Sequence, residues 1–278
     1  MNIMQSSMKA HEVDPGLKDI FAQLLKAKDP ESKTGEGLAK GDVRVNSSNL
    51  LVAGSDTSSS AMAATFFYLS RNKDAYEKVA TEVRKAFQSG SDVRSGAALN
   101  GCVYLRATIN EAMRMSPVVA QPLWREVESG GASIAGQHVP AGMNVGAGIY
   151  TLHHNPSVFL DPYTYNIDRW IIDEKKDAKE EKQRIKECQR SFAPFSAGPR
   201  QCIAKNFAMM ELMLTMANVL VRMDFENLGH VGDGGKGMGE GRERKGRFQL
   251  KSYFTSHMEG PVIRFRRRGG MEETVGTL

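Results

Sequence analysis

The chain has 278 residues, 41% of them hydrophobic, enough material for one large domain or two small ones. Its 37 Lys and Arg against 32 Asp and Glu leave a net charge of +5, but no nucleic-acid motif accompanies the excess, so no nucleic-acid partner is assigned. No uninterrupted apolar run approaches the roughly 20 residues a spanning helix needs, no signal-peptide pattern opens the chain, and Cys102, Cys188 and Cys202 have neither metal-site nor disulfide-framework spacing, which points to a reducing compartment.

The first helical periodicity covers 19–28 and gives way to a polar turn over 29–40. A longer helix follows, apolar through Leu50, Leu51, Val52 and Ala53 and again from Ala61 to Leu69, and it reads as buried. Asp56 and Thr57 interrupt it. A buried acid and hydroxyl are costly without partners, although a Thr- and Ser-rich helix can satisfy its hydroxyls on its own carbonyls. The stretch 74–87 places Tyr76, Val79, Ala80 and Val83 on one helical face. Glu111 and Arg114, three apart, share a face of a helix over 105–115 that Pro117 stops.

Glycine-rich 129–145, with Ile134 and Val139 flanking Gly136 and Gln137, reads as a small hairpin. His138, His153 and His154 lack metal-ligand spacing and read as ordinary polar positions. The densely charged 173–190 reads as a solvated helix or loop, and 229–246, rich in glycine and charge, as a flexible loop. Tyr253 with Phe254, and Val262 to Phe265, read as closing strands, beside a solvated basic cluster of Arg264, Arg266, Arg267 and Arg268. The fold class is mainly α with small β-sheets, without internal repeats.

The most informative stretch is Phe195-Ser-Ala-Gly198-Pro-Arg200-Gln-Cys202-Ile-Ala204. Cys202 follows a Gly-Pro turn, has Arg200 two residues before it, and stands ahead of a helix whose Ile203, Phe207, Met210, Leu214, Ala217 and Val221 form one apolar stripe. A helix N-terminus and a neighbouring arginine both favour a thiolate. Without that setting a free cysteine is more often a small buried hydrophobe.

The pattern F-x-x-G-x-R-x-C-x-[GA] resembles the cytochrome P-450 family, the haem-thiolate monooxygenases. Ala204 stands where glycine is commonest. Three further motifs resemble the family in order and spacing. They are Ala53-Gly54-Ser-Asp56-Thr57-Ser58 of the oxygen-activating helix, the E-x-x-R pair Glu111 and Arg114, and Asn166-Ile167-Asp168-Arg169-Trp170 in place of P-x-R-W, with Ile167 for proline and Asp168 for glutamate. The resemblance implies haem b, with Cys202 as its proximal iron ligand, in a loop headed by Phe195 and turned at Gly198. Arg200 and, by position, Arg125 would pair with the two propionates. Asp56 would bring protons from solvent and Thr57 would hydrogen-bond at the oxygen site, while Ala53 and Gly54 would let the helix bulge to leave room for oxygen. Glu111, Arg114 and Arg169 would form a buried network fixing the core beneath the haem, and 117–122 would border the substrate pocket.

The same resemblance implies electrons from NADPH through a reductase partner and insertion of one oxygen atom into a small organic substrate. It is to the fungal type and covers nearly the whole chain but only the C-terminal half of the family, which implies a single partial domain at 1–278. The N-terminal portion, with the anchor that holds relatives on the endoplasmic reticulum membrane facing the cytosol, has no counterpart here. Two expectations follow: a monooxygenase, or a truncated, non-catalytic remnant that binds haem weakly or not at all.

Overall fold

A computed structural model describes residues 19–29 and 37–269 of the chain. This part divides into two compact units, meeting in sequence between Thr57 and Ser58.

In the first unit, helix α1 (Ile20–Lys26) starts at Asp19, whose Oδ1 accepts from the Ala22 N–H at 2.8 Å and so satisfies one of the orphan donors of the first turn. Of the polar turn expected at 29–40, residues 30–36 lie outside the described residues. At its two sides Lys28 and Gly37 form an antiparallel bridge. Helix α2 (Lys40–Leu69) then begins. Its apolar Leu50, Leu51 and Val52 are exposed rather than buried, which corrects the reading of this stretch as a buried helix. The helix is also uninterrupted α across Ala53 and Gly54, so the expected bulge is not there.

In the second unit, the remainder of α2 is the buried part. Ala61, Ala64, Thr65, Phe67, Tyr68 and Leu69 are all packed away from solvent. Helix α3 (Lys73–Ala86) buries Ala75, Val79, Ala80 and Val83 at spacings of three and four, the face its sequence pattern prescribes. After the single turn α4 (Ala97–Asn100) comes α5 (Val103–Met115), which is buried almost all round. Its first turn is closed by a side chain from α3. The Glu82 carboxylate accepts from the Tyr104 N–H at 3.0 Å and the Leu105 N–H at 2.9 Å, supplying both hydrogen bonds and a negative charge to a helix N-terminus.

Four two-stranded antiparallel sheets decorate these helices. They are β1 (Arg125–Glu126) with β4 (Asn144–Val145), β2 (Ala132–Ile134) with β3 (Gln137–Val139), β5 (Met223–Asn227) with β8 (Ile263–Arg267), and β6 (Lys251–Ser252) with β7 (Ser256–His257). In the β2–β3 hairpin Ile134 pairs with Gln137, so the turn is Ala135-Gly136, one residue earlier than expected. Both residues have positive φ, 50° and 80°, as a two-residue turn matched to strand twist requires. Tyr253 and Phe254 are not strand residues. They form the β6–β7 turn and are 66% and 77% exposed, because pairing Ser252 with Ser256 forces the reversal between them.

Helix α6 (Ile149–His153) and α7 (Ala178–Ser191) follow the β-rich segment, α7 starting on Asp177, whose carboxylate accepts from the Lys179 and Glu180 N–H groups at 2.9 Å. Helix α8 (Lys205–Arg222) packs Leu212, Met213, Met216, Ala217, Leu220 and Val221 into the core shared with α3 and α5. It runs directly into β5, where Phe225 pairs with Phe265 and both rings meet Phe66 edge-on. The stretch 229–246 is irregular apart from the isolated bridge between Asp233 and Phe248.

Candidate thiolate loop and its supporting network

The loop before α8 is pinned at several points. Ala193 N–H donates to Nε2 of buried His153 at 2.9 Å. Ser196 N–H donates to Ala193 O at 3.0 Å, Gln201 N–H to Gly198 O at 3.1 Å, and Cys202 N–H to Phe195 O at 2.9 Å. Ser196 and Gly198 take φ of 61° and 77°. No atom lies within 4 Å of a Cβ built at Gly198, so glycine is required there by the left-handed backbone and not by crowding within this chain. Phe195 is half-buried against the main core and anchors the loop's start.

These constraints present Cys202 to solvent, whereas the other two cysteines are buried. Burial, with the Glu82 carboxylate adding to it, pushes the Cys102 thiol up to about 11. Burial also raises that of Cys188. The apolar stripe expected from Ile203 to Val221 divides in two. Ala217 and Val221 belong to the core, but Ile203 is 96% and Phe207 56% exposed, with Met210 also exposed. Apolar side chains therefore surround the start of α8 without protein atoms to cover them, next to an exposed thiol.

Beneath the second unit's surface lies a carboxylate with five donors. Glu111 Oε1 accepts from Arg114 Nη2 at 2.9 Å, the Asn166 N–H at 3.0 Å and Arg169 Nε at 3.1 Å. Oε2 accepts from Arg114 Nε at 2.9 Å and the Trp170 indole N–H at 3.0 Å. Glu111 and Arg114 are fully buried. Arg114 Nη1 goes on to the carbonyls of His153 and Pro162, and Arg169 Nη2 to that of Asp161. The Trp170 and Asn166 donors were not read from the sequence. Trp170 stands beside Arg169 in the quoted motif, but nothing in a sequence tells which way an indole turns. Trp170→Phe keeps most of the packing and removes one hydrogen bond to a buried carboxylate. It is expected to lower unfolding stability by about 2 kcal/mol, read from the urea midpoint at unchanged slope.

His153 and His154 are not ordinary polar positions. Both are buried beside this network, and desolvation, helped by the Arg114 charge, pulls each down to about 3. His153 thereby stays neutral and keeps the lone pair that accepts from Ala193.

Arg200 is exposed, and Arg125 on β1 is exposed with its guanidinium on the carbonyls of Leu123 and Trp124 at 3.4 and 2.8 Å. In the first unit, Asp56 is exposed and Thr57 half-exposed. Thr57 Oγ1 donates to Ala53 O at 2.6 Å, the helix back-bonding arrangement. One residue on, in the second unit, buried Ser58 donates to Glu211 Oε2 of α8 at 2.7 Å, a link that spacing alone did not suggest.

The donor chemistry bears on which cofactor these residues fit. Among the described residues no group of three His, Cys, Asp or Glu side chains could hold a metal ion. A lone exposed thiol among exposed apolar side chains fits an iron whose other ligands come from a flat apolar ring, which is a haem.

Comparison with known proteins agrees with that chemistry. The family model described as cytochrome P-450 matches residues 3–233. A cytochrome P-450 monooxygenase of Gibberella zeae is 44% identical over 90% of this chain and 56% of its own length. Cytochrome P-450 monooxygenase apf8 of Gibberella fujikuroi is 43% identical over 91% of this chain and 67% of its own. For AKT7 of Alternaria alternata the figures are 38%, 96% and 51%. The chain thus spans about half to two thirds of the length of these relatives.

Proposed function

The chain belongs to the cytochrome P-450 family, and from that premise we propose that it is the thiolate-bearing part of a haem-dependent monooxygenase acting on a small organic substrate. The observation that carries this reading is the exposed Cys202 on its pinned loop, beside uncovered Ile203 and Phe207.

Cys202 Sγ would ligate the iron, and the loop's hydrogen bonds would hold it in place while Gly198 turns the backbone. Ile203 and Phe207 would exclude water from that face of the ring. Arg200 and Arg125 would pair with the propionates, as guanidinium geometry suits carboxylates. When bound, haem supplies oxygen chemistry, with a thiolate ligand favouring O–O cleavage. Asp56, open to solvent, would take up and release protons, and Thr57 Oγ1, whose own proton goes to Ala53 O, would accept a hydrogen bond at the oxygen site. Electrons would come from NADPH through a reductase-type donor. The setting we assign is that of the fungal relatives' family, the endoplasmic reticulum membrane with the catalytic part facing the cytosol. Among the described residues no helix is long and apolar enough to cross a membrane.

The second reading, a chain that takes up haem weakly and does not turn over, is favoured by the exposure of Leu50, Leu51 and Val52 along α2, apolar surface that expects a cover. Haemin titration of the 278-residue chain, followed by reduction and carbon monoxide, separates the two. A thiolate-type Soret band, lost in Cys202→Ala, is the expected result. A band that survives in Cys202→Ala overturns the assignment, and absence of any haem spectrum supports the second reading.

A further inference from the structure

Tyr150 of its own helix and three side chains from two other segments gather around one imidazole. His154, just after α6, is buried between the rings of Tyr150, 4.0 Å away at 24°, and Tyr163, 5.1 Å away at 26°. The Arg247 guanidinium lies 5.4 Å from the Tyr150 ring centre and 4.8 Å from that of Tyr163, and it also donates to the Tyr150 hydroxyl. Arg244 covers Tyr163 at 3.7 Å. His154 Nδ1 lies 2.9 Å from the Tyr150 carbonyl, an obligatory acceptor, so Nδ1 carries the proton and Nε2 is a lone pair. Nε2 is buried with no hydrogen-bond partner among the described residues. The stack therefore closes around a neutral ring.

The arginines that close it belong to the irregular stretch ahead of β6. Phe248, next along, stacks on Phe67 at 4.6 Å and donates its N–H to the Tyr68 hydroxyl at 3.2 Å. The hairpin beyond holds the 117–122 segment, Ser256 N–H donating to Val118 O at 2.6 Å and Ser256 Oγ to Pro117 O at 3.1 Å. The groups facing His154 are Arg114 from α5, Arg244 and Arg247 from this stretch, the phenols of Tyr150 and Tyr163, and its neighbour His153. The charges acting on it are those of Arg114 and Arg244, both cations. A proton placed on His154 would be opposed by both and would have no acceptor at Nε2.

We propose that the Tyr150–His154–Tyr163 stack with Arg244 and Arg247 is an acid-sensitive clasp, which holds 239–248 in place while His154 is neutral and releases it when His154 is protonated. Cation–π contacts and stacking, each individually weak, hold the segment, a strength that one proton can overcome. Desolvation first, then Arg114 and Arg244, keep the clasped imidazole down near about 3, and release removes Arg244 and admits solvent, which raises it toward its ordinary value of 6.5. The released state binds the extra proton, so release grows as pH falls below the ordinary value. Between pH 7.5 and 5.5 the opening constant rises by up to about tenfold. Acidification would loosen the root of the hairpin that holds 117–122.

Hydrogen exchange of the full 278-residue chain at pH 7.5 and 5.5, corrected for the intrinsic pH dependence of exchange, reads this directly. The opening constant over 239–248 should rise by up to about tenfold and exceed at both pH values that over 205–222, in α8, which reports global unfolding. His154→Phe, which stacks but cannot protonate, should abolish the rise. His154→Gln serves the same purpose should phenylalanine not fit. A pH-independent opening in the wild type, opening over 239–248 no more frequent than that of α8, or the full rise in a variant without His154 would each overturn the clasp.

Discussion

Glu111→Ala is expected to destabilise the second unit by about 3–5 kcal/mol, the range for removing one partner of a buried ion pair. The reason is less the lost attraction than what remains. Arg114 is fully buried and Arg169 nearly so. Without the carboxylate, two cations and the Trp170 N–H lose their shared acceptor in a low-dielectric setting. Ordinary domains have about 5–15 kcal/mol in hand, so a substantial fraction of the variant should be unfolded or insoluble. Urea titration of the full chain measures the loss. Glu111→Gln should fall between, since one amide oxygen can still accept but the NH2 group opposes a guanidinium. The triple change Glu111→Leu, Arg114→Met, Arg169→Met should be less destabilised than Glu111→Ala alone, because it leaves no charge unpaired. A single-variant loss within 1 kcal/mol of zero would mean that water reaches the network.

The second large effect is acid sensitivity through His153. Its value is lowered from 6.5 to about 3 in the folded chain, so between those limits the unfolded state binds one more proton. Stability is then full above pH 6.5 and is lost as pH falls, by about 1.4 kcal/mol per unit from this one group. The cause is mainly desolvation, with His154 and Arg114 adding charge repulsion. The structural counterpart is direct, because protonated Nε2 could not accept from Ala193. Thermal or urea unfolding between pH 7.5 and 5 should show the slope, and His153→Gln, which offers an amide oxygen in place of the ring nitrogen, should reduce it by one proton. An unchanged slope in His153→Gln would place the acid sensitivity elsewhere.

Residues whose role is local were legible in the sequence. The α3 face follows from spacing alone, α5 stops before Pro117, and the Gly-rich hairpin needed only its turn moved by one residue. A turn at Gly198 was likewise legible in the Gly-Pro pair ahead of Cys202, although its left-handed backbone was not. What escaped were pairings fixed by long-range packing. Trp170 on Glu111 spans 59 positions and Ser58 on Glu211 spans 153, and no periodicity encodes either. His153 and His154 were misread because spacing tests for metal ligands but not for burial. Leu50, Leu51 and Val52 have the composition of a buried helix, but burial depends on a neighbour, which a helix pattern cannot supply. The Ala53-Gly54 bulge failed for another reason. Glycine permits distortion without requiring it, and the intact hydrogen-bond ladder is the cheaper conformation.

The Glu82 carboxylate that closes the first turn of α5 also bears on the order in which the chain assembles. It joins residues 22 and 23 positions apart, so its loop closes early and at small entropic cost. Pairing of β5 with β8 joins Glu226 to Arg264, 38 positions apart, with the irregular 229–246 between. Low contact order thus favours α3 and α5 as the nucleus, and the C-terminal sheet as a late addition. Glu82→Gln should then slow refolding, while Phe265→Leu should mainly speed unfolding. A chain emerging from the ribosome would have this nucleus complete long before β8 is synthesised, with the Cys202 loop emerging between the two.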